Sequence, residues 1–306
     1  MQANAEISEP FDWRDLADDG GYQEWRAQKL LAAETALVAA PVQIDSFAAP
    51  SSEAVREIKK RCASSNFAVY EYSEDLMAID EASRKIAAFG EALGLQAMED
   101  HRSAGTAGVV ALRQTEEAGK RGYIPYTPRA LNWHTDGYYN SADKQVRSFL
   151  LHCVNPSLHG GENQIVDPEV AYLRLRDADS RFVAALVHPE AMTIPENREA
   201  NGKVRPASTG PVFMADPVSG RLQMRYTART RSIAWRDDPV TLEAADWLRT
   251  WLTSGEPLMH EMRLKRGQGI MNNNVLHNRT SFEDGDTQDE KRVILRVRYQ
   301  NRLSED

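Results

Sequence analysis

The stretch "RVILRVRYQ", Arg292 to Gln300, alternates charge and apolar bulk with a period of two. On an extended backbone Arg292, Ile294, Arg296 and Arg298 share one face, and Val293, Leu295 and Val297 share the other. That period fits a strand and no helix. A face bearing three arginines belongs either on an outer strand in water or where something anionic meets it.

Working outward, the chain from about Val109 onward keeps this texture. The candidate strands are "VVALR", "VRSFLLHCV", "NQIVD", "GPVFMAD", "RLQMRY", "MHEMRLKR" and "GIMNNNVLH", with a hairpin expected around "DPVSG" (Asp216 to Gly220). Two helical inserts interrupt them, Glu169 to Val187 and Val240 to Ser254, the second after Asp238-Pro239. Residues 1–108 mix helix and strand. Tyr22 to Ala40 and Ser52 to Ser65 have helical spacing, and Phe67 to Tyr72 alternates. "IDEASRKIAAFGEALG" reads as a helix with Asp80 as its cap and Gly94 as its stop. Many short strands with helices outside them point to a mainly β fold, a double-stranded β-helix (jelly-roll, cupin-like) core with flanking helices, rather than a parallel α/β sheet. No repeat or linker divides the chain, so 1–306 is expected to be one domain, 1–108 packing on a core formed by 109–306. Two polar segments, Arg113 to Ala130 and Ile194 to Gly210, are long for connections and are candidates for covers over a site.

A formal charge of −8 argues against broad binding to nucleic acid or anionic membranes. No apolar run approaches the ~20 residues of a membrane helix. The acidic start has no signal-peptide character, and two cysteines, Cys62 and Cys153, make no disulfide framework, so a cytoplasmic location is expected. One local reversal stands out: Arg221 to Arg236 holds five arginines and no acid. It is either a solvated edge or one wall of an anion-binding pocket.

Within "NWHTDGYYN" (Asn132 to Asn140), His134 and Asp136 stand two apart. With 7 histidines and 45 acids in the chain, about one His-x-acid match is expected by chance, so the tripeptide alone is weak. His188-Pro189-Glu190 is a second match and reads as structural. The first gains meaning from residues far downstream. Octahedral iron in oxygenases is held by two histidines and a carboxylate on one face, with the other positions open. "NNNVLHNRTSF" (Asn272 to Phe282) presents His277 at the end of a strand-like run, and the arginine strand comes next. His152 and His159 read as scaffold rather than ligands.

The ordered set "HTD", "GGEN" (Gly160 to Asn163), "NNVLHNRTSF" and "RVILR" resembles the iron(II)/2-oxoglutarate dioxygenases related to taurine dioxygenase and γ-butyrobetaine hydroxylase. The resemblance runs from roughly Trp133 to Tyr299. It implies His134, Asp136 and His277 as ligands of Fe(II), with 2-oxoglutarate and O2 as co-substrates. It also implies Arg292 as the anchor of the distal carboxylate of 2-oxoglutarate. Asn163 stands where the family usually has threonine, and its amide can also donate to that carboxylate. Arg296 would lie near the substrate or the inner end of the co-substrate. The retained carboxylate at Asp136 favours hydroxylation or a related oxidation over halogenation.

Substrate contacts are expected from Trp133, Tyr138 and Tyr139 beside the metal motif, and from Arg225 and Arg229 in the basic segment. The substrate expected is a small anionic or zwitterionic metabolite. The alternatives are a non-catalytic jelly-roll sensor of metal or a small acid, and a metal-dependent hydrolase with the same ligand set. The sequence leaves the oligomeric state open.

Overall fold

In the computed structural model, which describes residues 11–73, 78–97, 108–116, 123–198, 202, 204–231 and 233–304, two sheets carry the architecture. Their strands are β1 (Val42–Ile44), β2 (Phe67–Tyr72), β3 (Val110–Leu112), β4 (Leu131–His134), β5 (Ser148–Asn155), β6 (Asn163–Val166), β7 (His260–Met262), β8 (Gln268–Asn272), β9 (Leu276–Arg279) and β10 (Val293–Tyr299). The larger sheet runs β1-β2-β8-β5-β10-β3 and the smaller β7-β6-β9-β4. Every pairing is antiparallel except β1 with β2.

The strands alternate as their side chains demand. In β10, Leu295, Val297 and Tyr299 pack outward, and Ile294 points into the apolar cluster between the sheets. β5 reads "SFLLHCVN" and is buried along its whole length, because both faces are covered. Leu150 and Val154 face outward, while Phe149, Leu151 and Cys153 face inward, where Ile165 of β6 meets them. The outward side is covered by α2 (Ser52–Ser65), through Ile58 and Cys62, and by α3 (Ile79–Ala92), through Ile86 and Phe89. A third cluster joins α1 (Asp19–Val38), α4 (Pro168–Ala178), α5 (Ser180–Leu186) and α6 (Pro239–Ser254) to the hairpin Phe213–Ala215/Leu222–Met224, which turns across Asp216 to Gly220 as expected.

Several boundaries differ from the sequence reading. α1 starts three residues early, because Asp18 caps it by accepting from the Gly21 amide. Asp80 is not the cap of α3; Ala78 holds that position, and Asp80 lies in the first turn, where its charge meets the helix dipole. The insert 169–187 is two helices, divided at Asp179, whose side chain caps the second.

The largest difference is in "GIMNNNVLH". It is not one strand but β8 and β9, in different sheets, joined by a crossover through Asn273 to Val275. Three buried asparagines make the crossover. Asn272 Oδ1 accepts from the Val275 amide at 3.2 Å, and Asn273 Nδ2 donates to the carbonyls of Cys62 and Leu303. Asn274 takes the left-handed conformation at φ 55°, which asparagine tolerates better than most residues. Buried backbone groups that leave one sheet before joining the next need such partners.

The candidate covers carry some structure of their own. Ile124–Tyr126 is a short 3-10 turn, Asn197–Arg198 pairs with Val204–Arg205, and Ser208–Gly210 pairs with Met192–Ile194. Residues 117–122, 199–201 and 203 of these segments lie outside the described residues. No helix among the described residues is long and apolar enough to cross a membrane.

Candidate active site

β4 and β9 are neighbours in the smaller sheet, and their register makes His277 the cross-strand partner of His134. Asp136 lies two residues beyond His134, where the chain leaves β4. The fold therefore gathers His134, Asp136 and His277 with one ligand atom from each within 4.8 Å of the others, all three buried. His188 and Glu190 are elsewhere, in a turn where His188 Nδ1 accepts from the Glu190 amide.

Each histidine is oriented the same way. His134 Nδ1 meets the Asn132 carbonyl at 2.9 Å, and His277 Nδ1 meets that of Val275 at 3.0 Å. A neutral ring that donates from Nδ1 keeps Nε2 as a lone-pair donor, the form a metal ligand requires. Burial, and then the neighbouring His134, push the His277 imidazolium down to about 3, so this ring is neutral at physiological pH. His134 Nε2 lies 3.5 Å from Asp136 Oδ1.

Asp136 is 2% exposed. Burial opposes its ionisation, but Arg296 and Arg298, with hydrogen bonds from His134 and Arg298, outweigh that and hold its carboxyl well below the usual range. Arg298 Nε donates to Oδ2 at 2.8 Å, and Arg296 Nη1 approaches at 3.3 Å. The backbone is fixed as well: Asn274 Oδ1 accepts from the Asp136 amide at 2.7 Å, and its Nδ2 donates to the Asp136 carbonyl at 3.0 Å.

From His277 a cavity runs between the sheets to Arg292, with about 420 Å³ of space not filled by protein atoms, open solvent included. Leu112, Leu151 and Ile294 form apolar wall; Asn163, Arg279, Arg292 and Arg296 supply polar groups. Arg292 is 5% exposed. Among the described residues its guanidinium has no carboxylate within ion-pair distance; it lies 5.2 Å from the ring of Phe282, and the acid that acts on its charge is Asp284, which accepts from the Arg292 backbone amide. Burial lowers its pKa to about 10, which leaves it charged at neutral pH. A buried cation in this state calls for an anion. Asn163 on β6 lines the same cavity.

The substrate-side expectations divide. Tyr138 packs edge-on to His134 with centroids 6.3 Å apart, and Tyr139 accepts from Arg298 Nη1 at 3.2 Å. Arg229 is exposed and close enough to Tyr138 to oppose the rise in its pKa that burial causes. Trp133 instead points to the other side of β4, into the cluster shared with the helices. Arg225 is buried and spends its guanidinium on the carbonyls of Tyr138, Met192, Ser208 and Gly210. At that position the basic segment is a strut between loops rather than a wall for an anion.

Sequence reasoning passed over Arg298, Asn274 and Arg279. Arg298 shared the cationic face of β10, which was a usable signal. Arg279 lies in the "HNRTSF" run and donates to the carbonyls of Thr127 and Arg129, tying β9 to the end of one candidate cover. Asn274 had no signal beyond its neighbours, since its role depends on a contact 138 residues away.

The profile of the taurine catabolism dioxygenase TauD, TfdA family matches residues 35–298. No curated protein matches the chain in sequence. Among solved structures, the non-heme iron oxygenase OrfP in complex with Fe and alpha-ketoglutaric acid superposes with a TM-score of 0.59 at 15% identity, over 92% of this chain and 84% of that one. Asparagine oxygenase in complex with Fe(II), 2S,3S-3-hydroxyasparagine and succinate gives 0.55 at 13% identity, over 90% and 91%. A taurine dioxygenase from Burkholderia xenovorans gives 0.54 at 15% identity, over 85% and 88%. At these identities the superpositions establish the shared fold, a sheet-rich double-stranded β-helix.

Proposed function

This chain belongs to the taurine catabolism dioxygenase TauD, TfdA family, and within that family we propose that His134, Asp136 and His277 hold its Fe(II) while Arg292 anchors 2-oxoglutarate. The protein is an iron(II)- and 2-oxoglutarate-dependent dioxygenase of a small molecule. The observation that carries the residue assignment is the pairing of two buried features in one cavity. At one end the cavity is lined by His277, whose ligand atom converges with those of His134 and Asp136, and both histidines are oriented through Nδ1. The other end has a buried guanidinium that, among the described residues, has no carboxylate within ion-pair distance. Neither the sensor nor the hydrolase alternative finds support, and a hydrolase has no use for a buried cation opposite the ligands.

Bound Fe(II), with 2-oxoglutarate and O2, supplies the oxidation: a substrate C–H bond is oxidised as 2-oxoglutarate becomes succinate and CO2. The protein's own part is placement. The planar fork of Arg292 matches a carboxylate, and the Asn163 amide adds a donor beside it. The apolar walls from Leu112, Leu151 and Ile294 keep water from the space between anchor and metal. Arg296, with Nη1 near Asp136 and Nε buried without a partner, is directed at the inner end of the co-substrate or at the substrate.

On the substrate side we assign Tyr138, Tyr139 and Arg229, for a small anionic or zwitterionic metabolite. Trp133 drops out of this reading because, as the strand neighbour of His134, it points to the opposite side of β4, and Arg225 because its guanidinium is spent on backbone carbonyls. We read the chain as one dioxygenase domain, in keeping with the span of the family match. The unpaired buried cysteines support a cytoplasmic location, and the net charge of −8 supports the absence of a nucleic-acid partner.

The test is anaerobic titration of the apoprotein with Fe(II) and then 2-oxoglutarate, following the visible charge-transfer band expected at roughly 500–550 nm for keto-acid chelation at an open iron site. The band should form in the wild type and vanish in His277→Ala. Iron binding without the band would sink the assignment.

A further inference from the structure

The two arginines of β10 treat the two oxygens of Asp136 unequally. Oδ1 is the oxygen 3.5 Å from Nε2 of His134, itself one of the three candidate ligands. Oδ2 takes the short bond from Arg298 Nε at 2.8 Å, whereas Arg296 stands off at 3.3 and 3.5 Å from the two oxygens. Arg298 is itself braced. Its Nη1 donates to Tyr139 Oη at 3.2 Å, and the Tyr139 ring lies 5.7 Å from the Arg205 guanidinium. Its side chain is 12% exposed, and it does not line the cavity between His277 and Arg292. Among the described residues its side chain bonds to the site through Asp136 and Tyr139.

A carboxylate can bind a metal through one oxygen or through both. With two histidines already bound, a two-oxygen Asp136 would occupy a position that the co-substrate and O2 need. Nothing in the backbone of Asp136, fixed by Asn274, prevents the carboxylate from turning about its own side-chain torsion. Side-chain partners do so, and the shortest of them is Arg298 Nε on Oδ2, with Arg296 Nη1 farther from both oxygens. We propose that Arg298 is a positioning residue that confines Asp136 to one-oxygen ligation by holding Oδ2 away from the metal. This rests on the assignment of His134, Asp136 and His277 as the metal ligands.

Cobalt(II) reports the geometry without turnover, because its d–d bands respond to coordination number. The full chain would be loaded anaerobically with Co(II) as wild type, Arg298→Met, Arg298→Lys and His277→Ala, with affinity read by calorimetry and the bands by absorption. Arg298→Met should weaken Co(II) binding about 10- to 100-fold, the usual loss when an outer partner of a ligand is removed, and should shift the bands. Arg298→Lys restores the charge without the fork. It should recover part of the affinity and leave the bands shifted, a split that a general loss of structure does not produce.

Wild-type affinity and wild-type bands in both Arg298 variants overturn the proposal. So do variants that bind Co(II) normally and lose only substrate, since Arg298 is then a substrate anchor. If Arg298→Met does not accumulate folded, Arg298→Lys decides alone by the same criterion. If the wild type fails to bind Co(II), or His277→Ala binds it equally well, the metal-site assignment falls and the positioning role with it. Wild-type binding with indifferent Arg298 variants sinks the positioning role alone.

Discussion

His134 and His277 face each other across adjacent strands with ring centroids 4.2 Å apart, and each is held through Nδ1 by the carbonyl two residues earlier. The site thus links β4 to β9. A metal that binds only this folded arrangement stabilises it by mass action, by about 2.7 kcal/mol at a free concentration one hundred times Kd. Thermal unfolding of the apoprotein should therefore shift upward with added Fe(II) or Co(II) under anaerobic conditions. His277→Ala should show little shift. An equal shift in that variant would move the metal elsewhere on the chain.

Arg292 makes a two-sided prediction. Its burial, with no carboxylate among the described residues at ion-pair distance, is a cost to the apoprotein, reflected in a pKa lowered to about 10. Methionine at this position keeps bulk and removes the unpaired charge. Arg292→Met should leave apoprotein stability unchanged or raise it by about 1–3 kcal/mol, while 2-oxoglutarate affinity falls by tenfold or more, as loss of a charge-assisted bond requires. Chemical denaturation and the iron–2-oxoglutarate band give the two readings. Loss of both stability and affinity would instead mark Arg292 as a structural brace.

What the sequence made legible was periodic or ordered. The alternation of β10 gave both the strand and the face that meets Asp136, and the order of motifs pointed to His134, Asp136 and His277, whose ligand atoms the fold brings together, and to Arg292, which shares a cavity with His277. What it hid depended on distant partners. "GIMNNNVLH" looked continuous because its apolar residues run on, while three asparagines turn the chain from one sheet to the other through contacts with residues 62, 136 and 303. Arg225 looked like an anion site because a charge in sequence carries no record of the four carbonyls that surround it. Trp133, adjacent to a candidate ligand, faces away from it because neighbours on a strand point to opposite sides.

His152 is fully buried beneath Phe47 and Tyr70, with Tyr70 Oη 3.2 Å from Nδ1 and no partner at Nε2. Burial depresses its pKa to about 4, below the ~6.5 of an unfolded histidine. The stability it contributes is complete above about pH 6.5 and is lost as pH falls toward 4, by up to about 3 kcal/mol. His152→Phe removes the titrating ring. It costs stability at every pH by leaving the Tyr70 hydroxyl unpaired, and it should flatten the loss between pH 6.5 and 4. Urea midpoints of both proteins across that range give the comparison. Parallel curves would mean that His152 is not the group protonated on acid unfolding.

Asp167 titrates with the opposite sign. It caps α4, accepting from the Glu169 amide at 2.8 Å and from Asn66 Nδ2 at 2.7 Å, and it is 4% exposed. Burial, and then the charge of Glu169, raise its pKa to about 6, against the smaller pull of Lys29. A carboxyl raised in the folded state favours folding below its unfolded value near 3.8, and that contribution is lost as pH rises through 6. Keeping it charged at neutral pH costs up to about 3 kcal/mol. Asparagine retains an oxygen for both hydrogen bonds and never ionises. The stability of Asp167→Asn relative to wild type should therefore improve steadily from pH 4 to pH 7, whatever the offset at the acid end. Denaturant midpoints of the metal-free proteins at those pH values read the difference directly. A constant difference across the range would show that Asp167 does not titrate there, and that the lysine and the cap bonds stabilise its charge fully.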